Sequence, residues 1–110
     1  MNESQPITIP QSIDELAIYT ALKEVFDPEI PVNIVDLGLV YQVKIIDSWV
    51  GVKMSLTSSG CGLADQITDA ARQRVLQVPG VVDADVRIVW QPKWTPHFMS
   101  PEARKKLMIV

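Results

Sequence analysis

The sequence is poor in the residues that build disulfides and metal sites. It contains one cysteine, Cys61, and one histidine, His97, among 110 residues. A single cysteine cannot form an intramolecular disulfide, and a single histidine cannot supply a paired-histidine metal site within one chain. Because a lone thiol is typical of a reducing compartment, the sequence predicts a cytoplasmic protein.

Basic stretches and long apolar runs are also missing. The net charge of −3 does not favour the basic surface that a nucleic-acid partner requires. No apolar run approaches the roughly 18 residues needed to span a bilayer. The first residues have neither the positive nor the apolar region of a secretory signal. We therefore expect no nucleic-acid partner and no membrane partner.

Apolar residues, in contrast, are plentiful enough for one core, at 47% of the chain. A chain of this length forms one domain. Residues 1–11 contain two prolines and no periodicity, and we predict a flexible lead-in there. Residues 12–110 are predicted to form the single domain.

Helical periodicity begins at Ser12, which with Glu15 has the arrangement of a capping box. Asp27-Pro28 is expected to end this helix, because proline disfavours the α conformation of the residue before it. A second helix is predicted after Gly62, and Ser100 is expected to cap a short last helix.

Period-two alternation predicts a hairpin over 39–46 and 50–57 and a third strand over 82–90. The polar face of the second strand should meet water. The sequence thus predicts an α+β fold, a mixed three-stranded sheet with helices on one face, in the order α-β-β-α-β plus a short C-terminal helix. The expected core residues are Leu16, Leu22, Val43, Val52, Met54, Leu56, Ile67, Val86 and Ile88.

The most distinctive candidate for chemistry is Cys61, which lies between Gly60 and Gly62 in a turn-rich segment that begins at Thr57. At a helix start, unpaired amides and the helix dipole favour the thiolate, so we expect a lowered thiol pKa. The flanking glycines leave room for another molecule or a metal to approach the sulfur. The alternative is a buried, inert cysteine.

Three other features are weaker candidates. The loop with Asp27, Glu29, Asn33 and Asp36 lacks the oxygen spacing of a calcium loop and is most simply a connector with solvated carboxylates. Trp90, Trp94 and Met99 offer an apolar surface for a partner or cover an open end of the sheet. His97 is most simply a solvated loop residue, although a pairing with Cys61 stays open.

The chain resembles the SufT-type iron–sulfur assembly proteins and the PaaD-like oxygenase maturation factors. The resemblance covers about residues 13–108 and rests on the segment 27–41, on 53–57 followed by Gly60-Cys61-Gly62, on the turn 78–81, and on the last part from Val89 to Ser100. It implies the fold of this family and a role in maturing iron–sulfur proteins. It also assigns the family's cysteine to Cys61 and its acidic loop to Asp27, Glu29 and Asp36.

Three functions remain open on this basis. The first is a non-enzymatic factor that carries or transfers a cluster through Cys61, with the assembly machinery and client apoproteins as partners. The second is an adaptor that docks clients, and the third a thiol enzyme, for which no base or resolving cysteine is visible. Because clusters usually take four protein ligands and this chain has one thiolate, we expect a transient iron–sulfur cluster that bridges a homodimer.

Overall fold

The computed structural model describes residues 13–57 and 62–108. Its elements are α1 (Glu15–Leu22), β1 (Val40–Ile46), β2 (Trp49–Met54), α2 (Ala64–Leu76), β3 (Asp83–Ile88) and α3 (Pro101–Lys106), with a short 3₁₀ helix (Pro96–Phe98) before α3. The predicted order of helices and strands is confirmed. Residues 1–11 and Ser12, for which a lead-in and a helix cap were predicted, lie outside the described residues.

The three strands form one mixed sheet in the order β1-β2-β3. β1 and β2 are antiparallel, whereas β2 and β3 are parallel and are joined through α2. Val52, at the centre of the sheet, pairs with Val43 on one side and Val86 on the other. The predicted α+β sheet is therefore confirmed, with β2 as its middle strand.

The two faces of the sheet differ as the alternation predicts. Val50, Val52 and Met54 of β2 are buried in the core, where α2 packs on β3 and α1 packs on α2. The opposite face is open to water and forms a shallow groove of about 350 Å³ that includes Lys53 and Arg87. Among the described residues, no helix is long and apolar enough to cross a membrane.

The first helix is shorter than predicted. It begins at Glu15, and the Asp14 carboxylate caps it by accepting a hydrogen bond from the Leu16 amide at 3.0 Å. It ends at Leu22, not at Asp27-Pro28, because the chain turns there and the Val25 carbonyl accepts from the Ile34 amide at 2.9 Å. The prediction of a helix reaching the proline was therefore wrong.

The helix also presents a different face to the core. Ile18 and Leu22, four residues apart, are buried, whereas Leu16 is 70% exposed and its assignment to the core was wrong. The other predicted core residues are buried or packed against the buried cluster. The buried ones are Leu22, Val52, Met54, Leu56 and Ile67, and the partly buried ones are Val43, Val86 and Ile88.

Candidate functional site

The acidic loop is held in shape by its own side chains. Asp27 is buried, with 6% of its surface exposed, and its Oδ1 accepts hydrogen bonds from the amides of Glu29 at 2.8 Å and Ile30 at 2.9 Å. Aspartate commonly bonds nearby amides in this way and so fixes a turn. One carboxylate therefore orders the turn that contains Pro28.

A second pair fixes the far end of the same loop. Asn33 Oδ1 accepts from the Asp36 amide at 2.9 Å, while Asn33 Nδ2 donates to Asp36 Oδ2 at 2.8 Å. Asp27 is buried and Asp36 half-buried, so the expectation of solvated carboxylates is correct only for Glu29, which is exposed. Within residues 13–57 and 62–108, no group of three or more histidine, aspartate or glutamate side chains is arranged to hold a metal ion.

The fold brings this loop against the strand end that leads to the cysteine. Thr57 Oγ1 donates to Asp27 Oδ2 at 3.5 Å, across 30 residues of sequence. Nearby, the Ser55 amide donates to the Leu39 carbonyl at 2.8 Å. Asp27 of the acidic loop and Thr57, where the cysteine segment begins, are therefore in contact although they are distant in the sequence.

Cys61 and Gly60 themselves lie outside the described residues. Beyond them, Gly62 is exposed, and a Cβ placed on it would meet no described heavy atom within 4 Å. α2 then begins at Ala64, with Leu63 as its N-cap residue. The exposure of Cys61 and its lowered thiol pKa stay predictions.

The C-terminal tail, residues 89–108, also forms hydrogen bonds with the acidic loop. Trp94 Nε1 donates to the Leu37 carbonyl at 2.7 Å, and the Ser100 amide donates to the Asp36 carbonyl at 2.8 Å. Gly38 has a φ of +78°, and a Cβ there would overlap the backbone of Phe98. The tail can therefore approach this closely only because residue 38 is glycine.

The three apolar residues that the sequence suggested as a partner surface, Trp90, Trp94 and Met99, differ in their exposure. Met99 is buried, with 6% exposure, and Trp94 is half-buried against the core, so both help to build the fold. Trp90 remains 47% exposed and is the accessible member of the three. His97 lies exposed on the 3₁₀ helix, where its carbonyl accepts from Arg104 at 2.6 Å.

Two residues of this region were missed by reasoning from the sequence. Gly38 shows its role only once Phe98 is seen beside it. Ser55 continues the polar alternation of the second strand and was expected to face water, yet it is only 1% exposed. The nearby tryptophans were a signal that the polar face could be covered beyond the end of the strand.

Comparison with known proteins adds independent information. The family model described as iron–sulfur cluster assembly protein matches residues 15–87. The chain is 45% identical over 93 residues to the Fe-S protein maturation auxiliary factor YitW of Bacillus subtilis, covering 84% of this chain and 91% of that protein. It is 44% identical over 81 residues to the Fe-S protein maturation auxiliary factor SufT of Staphylococcus aureus, covering 73% and 92%.

A solved structure from Bacillus anthracis, described as a domain of unknown function, has the same fold. Its TM-score is 0.82 at 38% identity, and the match covers 87% of this chain and 92% of that one.

The family model, which matches residues 15–87, covers the acidic loop, the central strands and the segment of Cys61. The chain belongs to the iron–sulfur cluster assembly protein family.

Proposed function

We propose that this protein takes part in the maturation of iron–sulfur proteins by holding a cluster transiently through Cys61 and releasing it to a client apoprotein. Family membership and relatives named as maturation auxiliary factors support the general role. The cluster is cargo in this proposal, and the protein has no catalytic turnover of its own. Its partners are the assembly machinery and the client apoproteins.

The observation that carries the proposal is the contact between Asp27 and Thr57. Thr57 precedes Cys61 by four residues, and its hydroxyl is bound to a buried carboxylate whose other oxygen is already bonded to two amides. This contact brings Thr57, where the cysteine segment begins, beside the acidic loop. It also leaves the Asp27 carboxylate engaged within the protein, so we assign it a positioning role and not that of an iron ligand.

The donor set explains why the cluster would be labile. Clusters prefer thiolate ligands, and the chain has one cysteine. Two copies of Cys61 across a two-fold axis supply half of a four-ligand shell, and exchangeable ligands complete it. Such a cluster leaves readily, which suits transfer to a client.

A second candidate, an adaptor that docks clients, is favoured by the aromatic surface of the tail. Trp90 and Phe98 are 47% and 40% exposed, and large aromatic side chains are enriched at protein interfaces. In this alternative the protein acts by binding clients, and Cys61 is secondary.

Anaerobic reconstitution with iron and sulfide, followed by native mass spectrometry and absorbance, tests the proposal. We expect one cluster per two chains, rapid loss of the cluster to a chelator, and no cluster in Cys61→Ala. Gln73→Ala, at an exposed position on α2, is the matched control and should retain the cluster. A cluster held by one chain, or retained by Cys61→Ala, would contradict the carrier mechanism. Failure of the wild-type protein to bind iron, with clients still bound, would favour the adaptor.

A further inference from the structure

A small cavity lies beside the candidate site, where the tail crosses the end of β2. It has a volume of about 50 Å³ and is lined by Ser55, Leu56, Thr57, Trp90, Lys93 and Trp94. One water molecule needs roughly 10–15 Å³ of such space. The cavity therefore has room for a few waters or for one group of about the size of a carboxylate.

Ser55 is the unusual residue of this cavity. It is 1% exposed, and its amide donates to the Leu39 carbonyl, but its hydroxyl has no hydrogen-bond partner among the described residues. Buried hydroxyls in proteins nearly always have a partner, from the protein or from a bound molecule. A molecule in the cavity can supply the missing partner.

The other polar groups that line the cavity indicate which charge a molecule bound there would carry. Of the described residues that line the cavity, Lys93 is the only charged one. It is exposed, and no ion pair joins it to another described residue. The Trp94 indole N–H already donates to the Leu37 carbonyl, and the Thr57 hydroxyl donates to the Asp27 carboxylate. Among the described residues that line the cavity, the side-chain donors without a hydrogen-bond partner are therefore the Ser55 hydroxyl, the Lys93 ammonium group and the Trp90 indole N–H. An ammonium group and an indole N–H can only donate.

We infer that this cavity is a binding site for a small carboxylate group, with Ser55 Oγ and Lys93 Nζ as its donors. A carboxylate has two oxygens and can accept from both donors, and bonds from charged donors are the stronger ones. The carboxylate can belong to a free small acid or stand at the end of a larger molecule. The inference concerns residues other than Cys61 and holds whether or not the protein binds a cluster.

The three tryptophans of the chain make the test internally controlled. Trp90 and Trp94 line the cavity, whereas Trp49 lies on the open face of the sheet. Sodium chloride is replaced stepwise by sodium acetate at constant ionic strength, and the three indole N–H resonances are followed by NMR. We expect saturable shifts of the Trp90 and Trp94 resonances and an unchanged Trp49 resonance.

Variants identify the donors. Lys93→Gln should weaken acetate binding about tenfold or more, because a charged hydrogen bond is lost. Ser55→Ala should weaken it as well without lowering the melting temperature, since the lost hydroxyl has no hydrogen-bond partner among the described residues. Lys53→Gln, on the open face of the same sheet, is the matched control and should bind acetate like the wild type.

A further pair of probes separates the two sources of the carboxylate. If N-acetylglycine binds more tightly than acetate and N-acetylglycinamide does not bind, the site takes the end of a larger molecule. If acetate binds at least as well as N-acetylglycine, the ligand is a free small acid. Absence of saturable shifts, equal shifts of all three indoles, or unchanged binding in Lys93→Gln would overturn the inference.

Discussion

The segment 27–39 and the helix α1 contrast in how much they contribute to the core. The segment has no helical or strand period, yet Val32, Ile34, Leu37 and Leu39 are each exposed by 3% or less. α1 has a regular period and buries only Ile18 and Leu22. The irregular segment is therefore the better anchored of the two.

Hydrogen bonds account for this difference. A buried loop must satisfy its backbone groups without a helix or sheet ladder. Here the side chains of Asp27 and Asn33 accept from loop amides, while Trp94 and the Ser100 amide donate to loop carbonyls. Sequence periodicity thus indicates regular secondary structure. How firmly a segment is held depends instead on how many hydrogen-bond partners the rest of the chain provides for it.

The largest expected effect compares two identical substitutions in these regions. Leu37→Ala should lower the free energy of unfolding by about 2–5 kcal/mol, because Leu37 is completely buried and a cavity would remain. Leu16→Ala in α1 should change it by about 0.5 kcal/mol or less, since Leu16 is 70% exposed. Urea unfolding of both variants measures this. Equal losses would show that the segment is no better anchored than the helix.

A second comparison tests the contact between the segment and the tail. Gly38→Ala should destabilise the protein by about 1–3 kcal/mol from the left-handed backbone alone, with a further loss from overlap with Phe98. Gly62→Ala is the matched control and should be nearly neutral, because its Cβ would enter open space. Thermal unfolding measures the stability of both variants. A neutral Gly38→Ala would mean that the tail does not pack against Gly38 as closely as the structure shows.

The third comparison lies within the segment itself. Asp27→Ala should cost about 1–3 kcal/mol, since two amides lose their acceptor. Asp27→Asn keeps one acceptor oxygen and should cost less, and Glu29→Ala, at an exposed position, should be close to neutral. Chemical denaturation of the three variants gives the ranking. A loss for Glu29→Ala as large as that for Asp27→Ala would contradict a special role for the buried carboxylate.

The smallest effect concerns α1 and depends on pH. Burial, with a smaller contribution from the charge of Glu15, raises the pKa of Tyr19 above its ordinary value of 10.0. Because the pKa of Tyr19 is higher in the folded protein than in the unfolded chain, its contribution to the free energy of unfolding is fully present below the unfolded pKa. This contribution is lost as the pH rises through the folded pKa.

Unfolding free energies of the wild type and Tyr19→Phe, measured between about pH 8 and pH 11, test this. The difference between the two proteins should be constant at the lower end and should change as the tyrosine ionises, to the disadvantage of the wild type. A pH-independent difference would indicate that Tyr19 is not desolvated in the folded protein.

Local patterns in the sequence were sufficient to predict the order of elements and the α+β sheet. Alternation along β2 and the motif at Ser100 act over a few residues, and Ser100 does accept from the Ala103 amide at 3.1 Å. The composition likewise shows that the chain has one thiol, and the number of protein ligands in the carrier proposal follows from this. These features do not depend on which distant segments meet.

Only the tertiary structure decided which segments come together. The Asp27–Thr57 and Leu37–Trp94 contacts span 30 and 57 residues, and no periodicity reports on such pairs. The same is true of Ser55, whose alternation indicated a side chain in water until the tail covered it. Periodicity indicates which side of an element is apolar, whereas burial depends on what the folded chain places against that side. The contacts of Thr57 with Asp27 and of Trp94 with Leu37 are of this second, long-range kind.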